Sequence, residues 1–230
     1  MFDKITRMKK FLLFLLLGII MVSPVVAQTD STAHSSKKSD GEIKTIFTKS
    51  DHRVKIGFYI GPDGAYTQFK GRDVFLVGMS MGMILDHFFS VGLSGYAIVN
   101  SGKLWYDNID EVTKQGAYLY GGYGGLKFEF RVLPSSPVHV NFPILVGAGG
   151  LVYSNWKLNN HNYNYNSESL DWDVFFVVEP GVMMELNLVK FMRLDLGISY
   201  RYAPNVQLMN TSPGLINNFN ANIGLRFGKF

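Results

Sequence analysis

Residues Met192 to Tyr202 read MRLDLGISYRY, and every second residue is apolar or aromatic. Met192, Leu194, Leu196, Ile198, Tyr200 and Tyr202 fall on one face. Arg193, Asp195, Gly197, Ser199 and Arg201 fall on the other. A period of two sustained over this length describes a β-strand that separates two unlike environments. A tilted strand needs roughly 9–11 residues to cross a bilayer. An unbroken greasy face opposite charges and small residues is how a barrel strand reads when lipid lies outside and a packed polar bore inside.

Seven further runs of this kind flank it. They are Val54 to Gly61, Val74 to Leu85, Phe89 to Val99, Ala117 to Val132, Val138 to Tyr153, Val174 to Leu188 and Asn218 to Phe230. In the second run Phe75, Val77, Met79, Met81 and Met83 alternate with Gly78, Ser80 and Gly82. In the last, Phe219, Ala221, Ile223, Leu225 and Phe227 alternate with Asn220, Asn222, Gly224 and Arg226. The links at Asp86-His87, Pro134 to Pro137 and Val189-Lys190 are short. Pro62 to Asp73, Asn100 to Gly116, Ser154 to Asp173 and Ala203 to Asn217 read as longer polar loops. An even strand count with short turns at one end and long loops at the other predicts an all-β fold, an eight-stranded antiparallel up-and-down transmembrane β-barrel. A soluble barrel would invert the pattern, apolar inside and polar outside. The glycines crowding the less greasy face (Gly57, Gly78, Gly82, Gly92, Gly121, Gly125, Gly147, Gly197 and Gly224) suit a narrow filled bore better than a solvent face.

The N-terminus carries an export signature. Lys4, Arg7, Lys9 and Lys10 precede the apolar run Phe11 to Val22, and Val25-Val26-Ala27 offers a cleavage site. Residues 1–27 therefore read as a signal peptide, 28–52 as a polar periplasmic tail or linker, and 53–230 as the barrel. Removing Lys4, Arg7, Lys9 and Lys10 from 22 basic side chains, and Asp3 from 18 acidic ones, leaves 18 and 17, a net of +1. The basic balance thus reflects export and gives no ground for nucleic-acid binding. With no cysteine in the chain, disulfides and thiolate metal sites are excluded.

Two constellations carry potential chemistry. Lys55, Lys127, Arg131, Arg193, Arg201 and Arg226 share the inward face with Glu129, Glu179, Glu185 and Asp195. Buried charges must be paired, so these residues predict an ion-pair core, with Glu179 meeting Arg193 or Arg201 on the next strand; a narrow or gated ion path made by switching partners is the alternative. The second constellation is aromatic. Trp156, Tyr163, Tyr165 and Trp172 stand among asparagines in the Ser154 to Asp173 loop, with Trp105 and Tyr106 in the Asn100 to Gly116 loop. Rings stack on sugars while amides donate and accept, so these six are the surface-recognition candidates; mutual packing is the plainer reading. Catalysis finds no support. The five histidines include no His-x-Ser pairing at an outer rim, and no Gly-x-Ser-x-Gly elbow occurs. No metal spacing and no cofactor motif is present either.

On this alternation and the closing run Ile-Gly-Leu-Arg-Phe-Gly-Lys-Phe, which ends at Phe230, the chain from Arg53 onward resembles the small eight-stranded bacterial outer-membrane barrels, OmpA-like and OmpX-like proteins among them. The resemblance implies an outer-membrane location with periplasmic termini and a non-enzymatic role in membrane integrity or loop-mediated adhesion. It implies outer-membrane lipid and lipopolysaccharide as surroundings, barrel-insertion machinery engaging Phe230, and a surface glycan or protein as ligand. A narrow charged porin is the alternative, and a lipid A-modifying acyl hydrolase or transferase is the enzymatic one. Phe230 lies out of phase with Phe227 and Leu225.

Overall fold

The computed structural model describes residues 55–99, 104–107, 109, 116–134, 136–155 and 169–230. The signal peptide and tail read over 1–52 lie outside the described residues. Nine strands form one antiparallel sheet: β1 (Ile56–Phe69), β2 (Arg72–Leu85), β3 (Phe89–Val99), β4 (Trp105–Tyr106), β5 (Ala117–Val132), β6 (Val138–Ser154), β7 (Ser169–Val189), β8 (Met192–Arg201) and β9 (Asn218–Lys229). β4 is a two-residue addition to the edge of β5. The other eight close a ring in which each strand pairs with its chain neighbours, β3 pairs with β5, and β1 pairs with β9. This is an all-β, up-and-down, eight-stranded barrel with no free sheet edge.

Alternation dictates which side chains enter the bore. Along β8 Arg193, Asp195, Ser199 and Arg201 are buried, while Ile198 and Tyr200 are exposed. Along β1 the buried residues are Gly57, Tyr59, Gly61, Asp63, Ala65, Thr67 and Phe69. On the outward face of the eight strands, charged side chains occur only near the rims, at Asp73 and Lys229.

The first long link departs from the sequence reading. Pro62 to Asp73 is not a long loop, because β1 runs through it to Phe69 and turns in two residues. Lys70 (φ 48°) and Gly71 (φ 77°) both occupy the left-handed region, as the tight hairpin turn that matches strand twist requires. Pro62, Asp63 and Gly64 open the loop expected from the sequence, yet the barrel accommodates them in mid-strand. The β1–β9 register holds on both sides of Gly61 and Pro62 while pairing lapses at those two residues. A proline without an N–H costs no ladder bond where the ladder is already open. Gly61 is required there, since a Cβ on it would sit 1.7 Å from the Leu225 carbonyl oxygen.

The bore divides along its length. At the short-turn end (residues 86–88, 133–134, 136–137 and 190–191) it holds charges. At the loop end it holds an apolar cluster of Phe69, Leu76, Leu119, Leu151, Tyr153, Phe175 and Val177. Residues 203–216 fold over that cluster and add Ala203, Val206, Leu208, Leu215 and Ile216, each buried. The segment read as a long polar loop therefore closes the barrel with its own side chains.

Candidate functional site

Two places gather polar chemistry, the charged half of the bore and the rim at the loop end. In the bore, Glu129 is fully buried and takes four groups: Lys127 Nζ at 3.3 Å, Arg131 Nη2 at 3.1 Å, Arg226 Nη2 at 2.8 Å and the Ser90 hydroxyl at 2.6 Å. Glu185 accepts from Arg131 Nε at 3.2 Å, from Arg193, and lies 2.9 Å from His139 Nε2. Asp195 accepts from Arg226 Nε. Arg226 on β9 thus reaches Glu129 on β5 across the bore, and Arg131 on β5 reaches Glu185 on β7. Such a lattice is what buried charge demands, because each ion left without partners costs several kcal/mol. The Tyr59 ring lies under Arg226, with 4.4 Å from guanidinium to ring centre. The Phe230 ring lies 3.9 Å from the Arg193 guanidinium, so the C-terminal aromatic lies at the charged end of the bore.

The ten charged candidates distribute as follows. Lys127, Glu129, Arg131, Glu185, Arg193, Asp195 and Arg226 form this lattice. Glu179 is buried in the bore but meets no arginine; it accepts from the Tyr123 hydroxyl at 2.7 Å and the Ser199 hydroxyl at 2.7 Å. The expected pairing of Glu179 with Arg193 or Arg201 does not form, because Arg193 is committed to Glu185 and Arg201 faces the apolar end. Arg201 donates to the Ile216 carbonyl at 2.9 Å, the Tyr123 hydroxyl at 3.2 Å and Thr67 at 3.4 Å. Lys55 is a correction: it lies exposed ahead of β1, its backbone N–H donating to Asp86 at 2.9 Å, and belongs to the turn-end rim. His139, Ser90, Tyr59 and Asn141 complete the bore and were not singled out by charge. Their inward parity is the signal that marks them.

At the loop end, Arg72 lies 4.5 Å from the Tyr106 ring centre and donates to the Trp105 carbonyl. Trp105 packs edge-on against Tyr118 with centroids 4.7 Å apart, and Tyr106 against Tyr153 at 5.8 Å. Burial pushes the Tyr106 hydroxyl up to about 12. Both residues are thus half-buried supports of the rim rather than free rings. Trp172 is a correction: β7 begins at Ser169, so Trp172 is an exposed strand residue opposite Val152, not a loop residue. Trp156, Tyr163 and Tyr165 lie outside the described residues.

The 203–216 segment is held by the strands beneath it. Asp173 accepts from the Gln207 N–H at 2.5 Å and Asp171 from the Met209 N–H at 2.8 Å. Asn210 donates to the Ile109 carbonyl at 3.0 Å, and Tyr153 pairs with Thr211 at 3.0 Å. Beneath it a cavity lined by Phe69, Tyr123, Leu151, Phe175, Arg201 and Ile216 measures about 10 Å³, about the room one water needs. Among the described residues no cluster of His, Asp and Glu suits a metal ion.

No family model and no curated protein matches the chain. Solved structures do. The N-terminal β-barrel domain of Pseudomonas aeruginosa OprF is 11% identical, with 76% of this chain and 99% of that one covered and a TM-score of 0.44. Neisserial surface protein A is 13% identical, with 78% and 100% covered and a TM-score of 0.48. Yersinia pestis Ail, the attachment invasion locus protein, in complex with the heparin analogue sucrose octasulfate, is 12% identical, with 77% and 98% covered and a TM-score of 0.40.

Proposed function

We propose that the chain is an integral outer-membrane β-barrel with a closed bore, serving membrane integrity and surface recognition without catalysis. The observation that carries this reading is the outward face. Exposed Phe58, Ile60, Phe75, Val77, Met79, Met81, Met83, Leu93, Leu126, Phe142, Ile144, Phe176, Val182, Met184, Ile198 and Ile223 encircle the barrel, and charges lie only at its rims. Eleven residues tilted by about 40° rise roughly 25 Å, the height of a barrel's lipid-facing band. In water such a face would drive aggregation. Tyr200, Tyr202, Phe219 and Trp172 toward the loop end, and Phe58, Phe130, Phe142 and Phe227 toward the turn end, suit aromatic girdles at two interfaces.

Outer-membrane lipid is then the surrounding medium, with lipopolysaccharide meeting the rim at the loop end. Insertion machinery would engage the terminal strand that ends in Phe230, and the loop end would present the recognition surface for a glycan or protein. Carbonate washing of membranes followed by electrophoresis with and without boiling tests the location. A membrane-retained band that shifts on heating supports it, and a band released by carbonate overturns it. The porin alternative is separated by single-channel recording in planar bilayers. The apolar seal made by Leu215, Ile216 and Phe175 predicts no steps above leak, and discrete steps would favour the narrow charged pore.

A further inference from the structure

Halfway along the bore, between the ionic lattice and the apolar seal, lies a set of buried oxygens without a hydrogen-bond partner. Asp63 is 9% exposed and its Oδ2 has no hydrogen-bond partner; the same holds for the hydroxyls of Ser80 (1%) and Ser94 (5%) and for Oδ1 of Asn222 (8%). The register brings them together. Ser80 and Ser94 are direct partners across β2 and β3, and Ser80 also opposes Gly61 on β1. Asp63 opposes Gly78 on β2 and Gly224 on β9, so Ser80 is its diagonal neighbour on one side and Asn222 on the other. Diagonal pairs on one sheet face lie about 7–8 Å apart, within reach of one shared group. Glycine makes the room: Asp63 Oδ1 lies 2.5 Å from where a Gly224 Cβ would stand, and Tyr96 lies over Gly78.

The orientation of Asn222 is informative. Its amide nitrogen donates to the Ser199 hydroxyl at 2.8 Å, and Ser199 in turn donates to Glu179. Asn220 donates to the same hydroxyl at 3.0 Å, and its Oδ1 is likewise without a partner. With the Asn222 amide nitrogen donating to Ser199 and to the Asn220 backbone carbonyl, and that of Asn220 to Ser199, both side-chain carbonyl oxygens are left without a donor. The bore's cations are engaged elsewhere: Lys127 with Glu129, Arg131 with Glu129 and Glu185, Arg193 with Glu185, Arg226 with Glu129 and Asp195, and Arg201 with Thr67, Tyr123 and Ile216. The layer therefore holds a carboxylate with no cation of the bore engaged to it.

We propose that Asp63, Ser80, Ser94 and Asn222 form a binding site for one hard, oxygen-seeking cation of the sodium or calcium type. A buried carboxylate without a counter-charge is unstable, and a cation supplies that charge. Carboxylate, hydroxyl and amide oxygens are the donor set of hard cations. The set has neither thiolate nor free imidazole, since His139 is held by Glu185. Closed between lattice and seal, the cation enters as the barrel folds and remains.

The test refolds the full chain into detergent micelles in sodium, potassium, calcium or N-methylglucamine chloride at matched ionic strength, desalts it, and counts retained metal by atomic emission. About one sodium or calcium per folded chain is expected, with loss in Asp63→Asn. Retention of no metal, or equal retention in Asp63→Asn, overturns the site. Ser80→Ala keeps the carboxylate and provides a second variant should Asp63→Asn fail to fold; it lowers retention if the site is real and leaves it unchanged if not. Infrared difference spectra supply an independent arm. A protonated-acid band that vanishes in Asp63→Asn means a proton neutralises the carboxylate, which overturns the cation.

Discussion

The two halves of the bore are filled by opposite chemistry within one wall. The turn-end half is closed by Glu129, Glu185 and Asp195 cross-linked to Arg131, Arg193 and Arg226. The loop-end half is closed by Phe69, Leu119, Leu151, Phe175 and a folded-back segment carrying Leu215 and Ile216. Both occlude, but they fail differently. An ionic lattice is intolerant of losing one member, because each deletion leaves a buried charge behind. An apolar cluster loses contacts and leaves a cavity, a cost that scales with the volume removed.

The contrast is broken most severely from the ionic side. Arg226→Ala strips Asp195 of its arginine and Glu129 of one of two. Stability should fall by about 3–5 kcal/mol, read as a lowered urea midpoint of the heat-modifiable form, or as a chain that does not fold. Next comes the apolar side: Phe175→Ala should cost about 3–4 kcal/mol through a cavity, measured in the same unfolding series. If it costs far more than Arg226→Ala, the ranking of the two halves is reversed. Leu215→Ala loosens the seal while sparing the lattice. Fold retention with a drop of about 2–3 kcal/mol is expected, and discrete conductance steps appear only if the lattice is leaky by itself. Tyr106→Phe removes a hydroxyl that is buried without a protein partner, so the change should be within about 0.5 kcal/mol or slightly stabilising. Smallest is Lys55→Ala, an exposed side chain outside the lattice, with an expected effect below about 0.5 kcal/mol; a large loss there would bring Lys55 back into the ionic core.

The same contrast explains what the sequence disclosed. Where the two faces differ in polarity, alternation assigned them: Lys127, Glu129 and Arg131 against Phe128 and Phe130, or Arg193 and Asp195 against Leu194 and Leu196. The lattice members were legible for that reason, though not their partners, since the register decides which arginine meets which carboxylate. Toward the loop end both faces are apolar. Leu119, Leu151, Phe175 and Val177 point inward beside outward Tyr118, Val152 and Phe176, so periodicity no longer marks an inside. The seal was invisible for a second reason, because Val206, Leu208, Leu215 and Ile216 are scattered among Asn, Ser, Pro and Gly and read as polar connection. The expectation of a polar loop from Pro62 to Asp73 hid Asp63 as a bore residue, because Pro, Asp and Gly are the residues of turns. Trp172 was assigned to a loop because β7 continues past the greasy stretch, where composition turns polar while hydrogen bonding does not end.

The seam between β1 and β9 also bears on how the molecule comes into being. The other ladders of the ring join strands that follow one another in the chain, with only the two-residue β4 between β3 and β5, but this one couples Phe58 to Lys229 and Tyr59 to Gly228. Loop-closure entropy places such a distant pairing late. Until the last strand arrives, the ring is an open ribbon with two raw edges, each able to add a foreign strand. Arg226, which knots the bore together, lies on that same final strand, so closing the seam and tying the lattice become a single event.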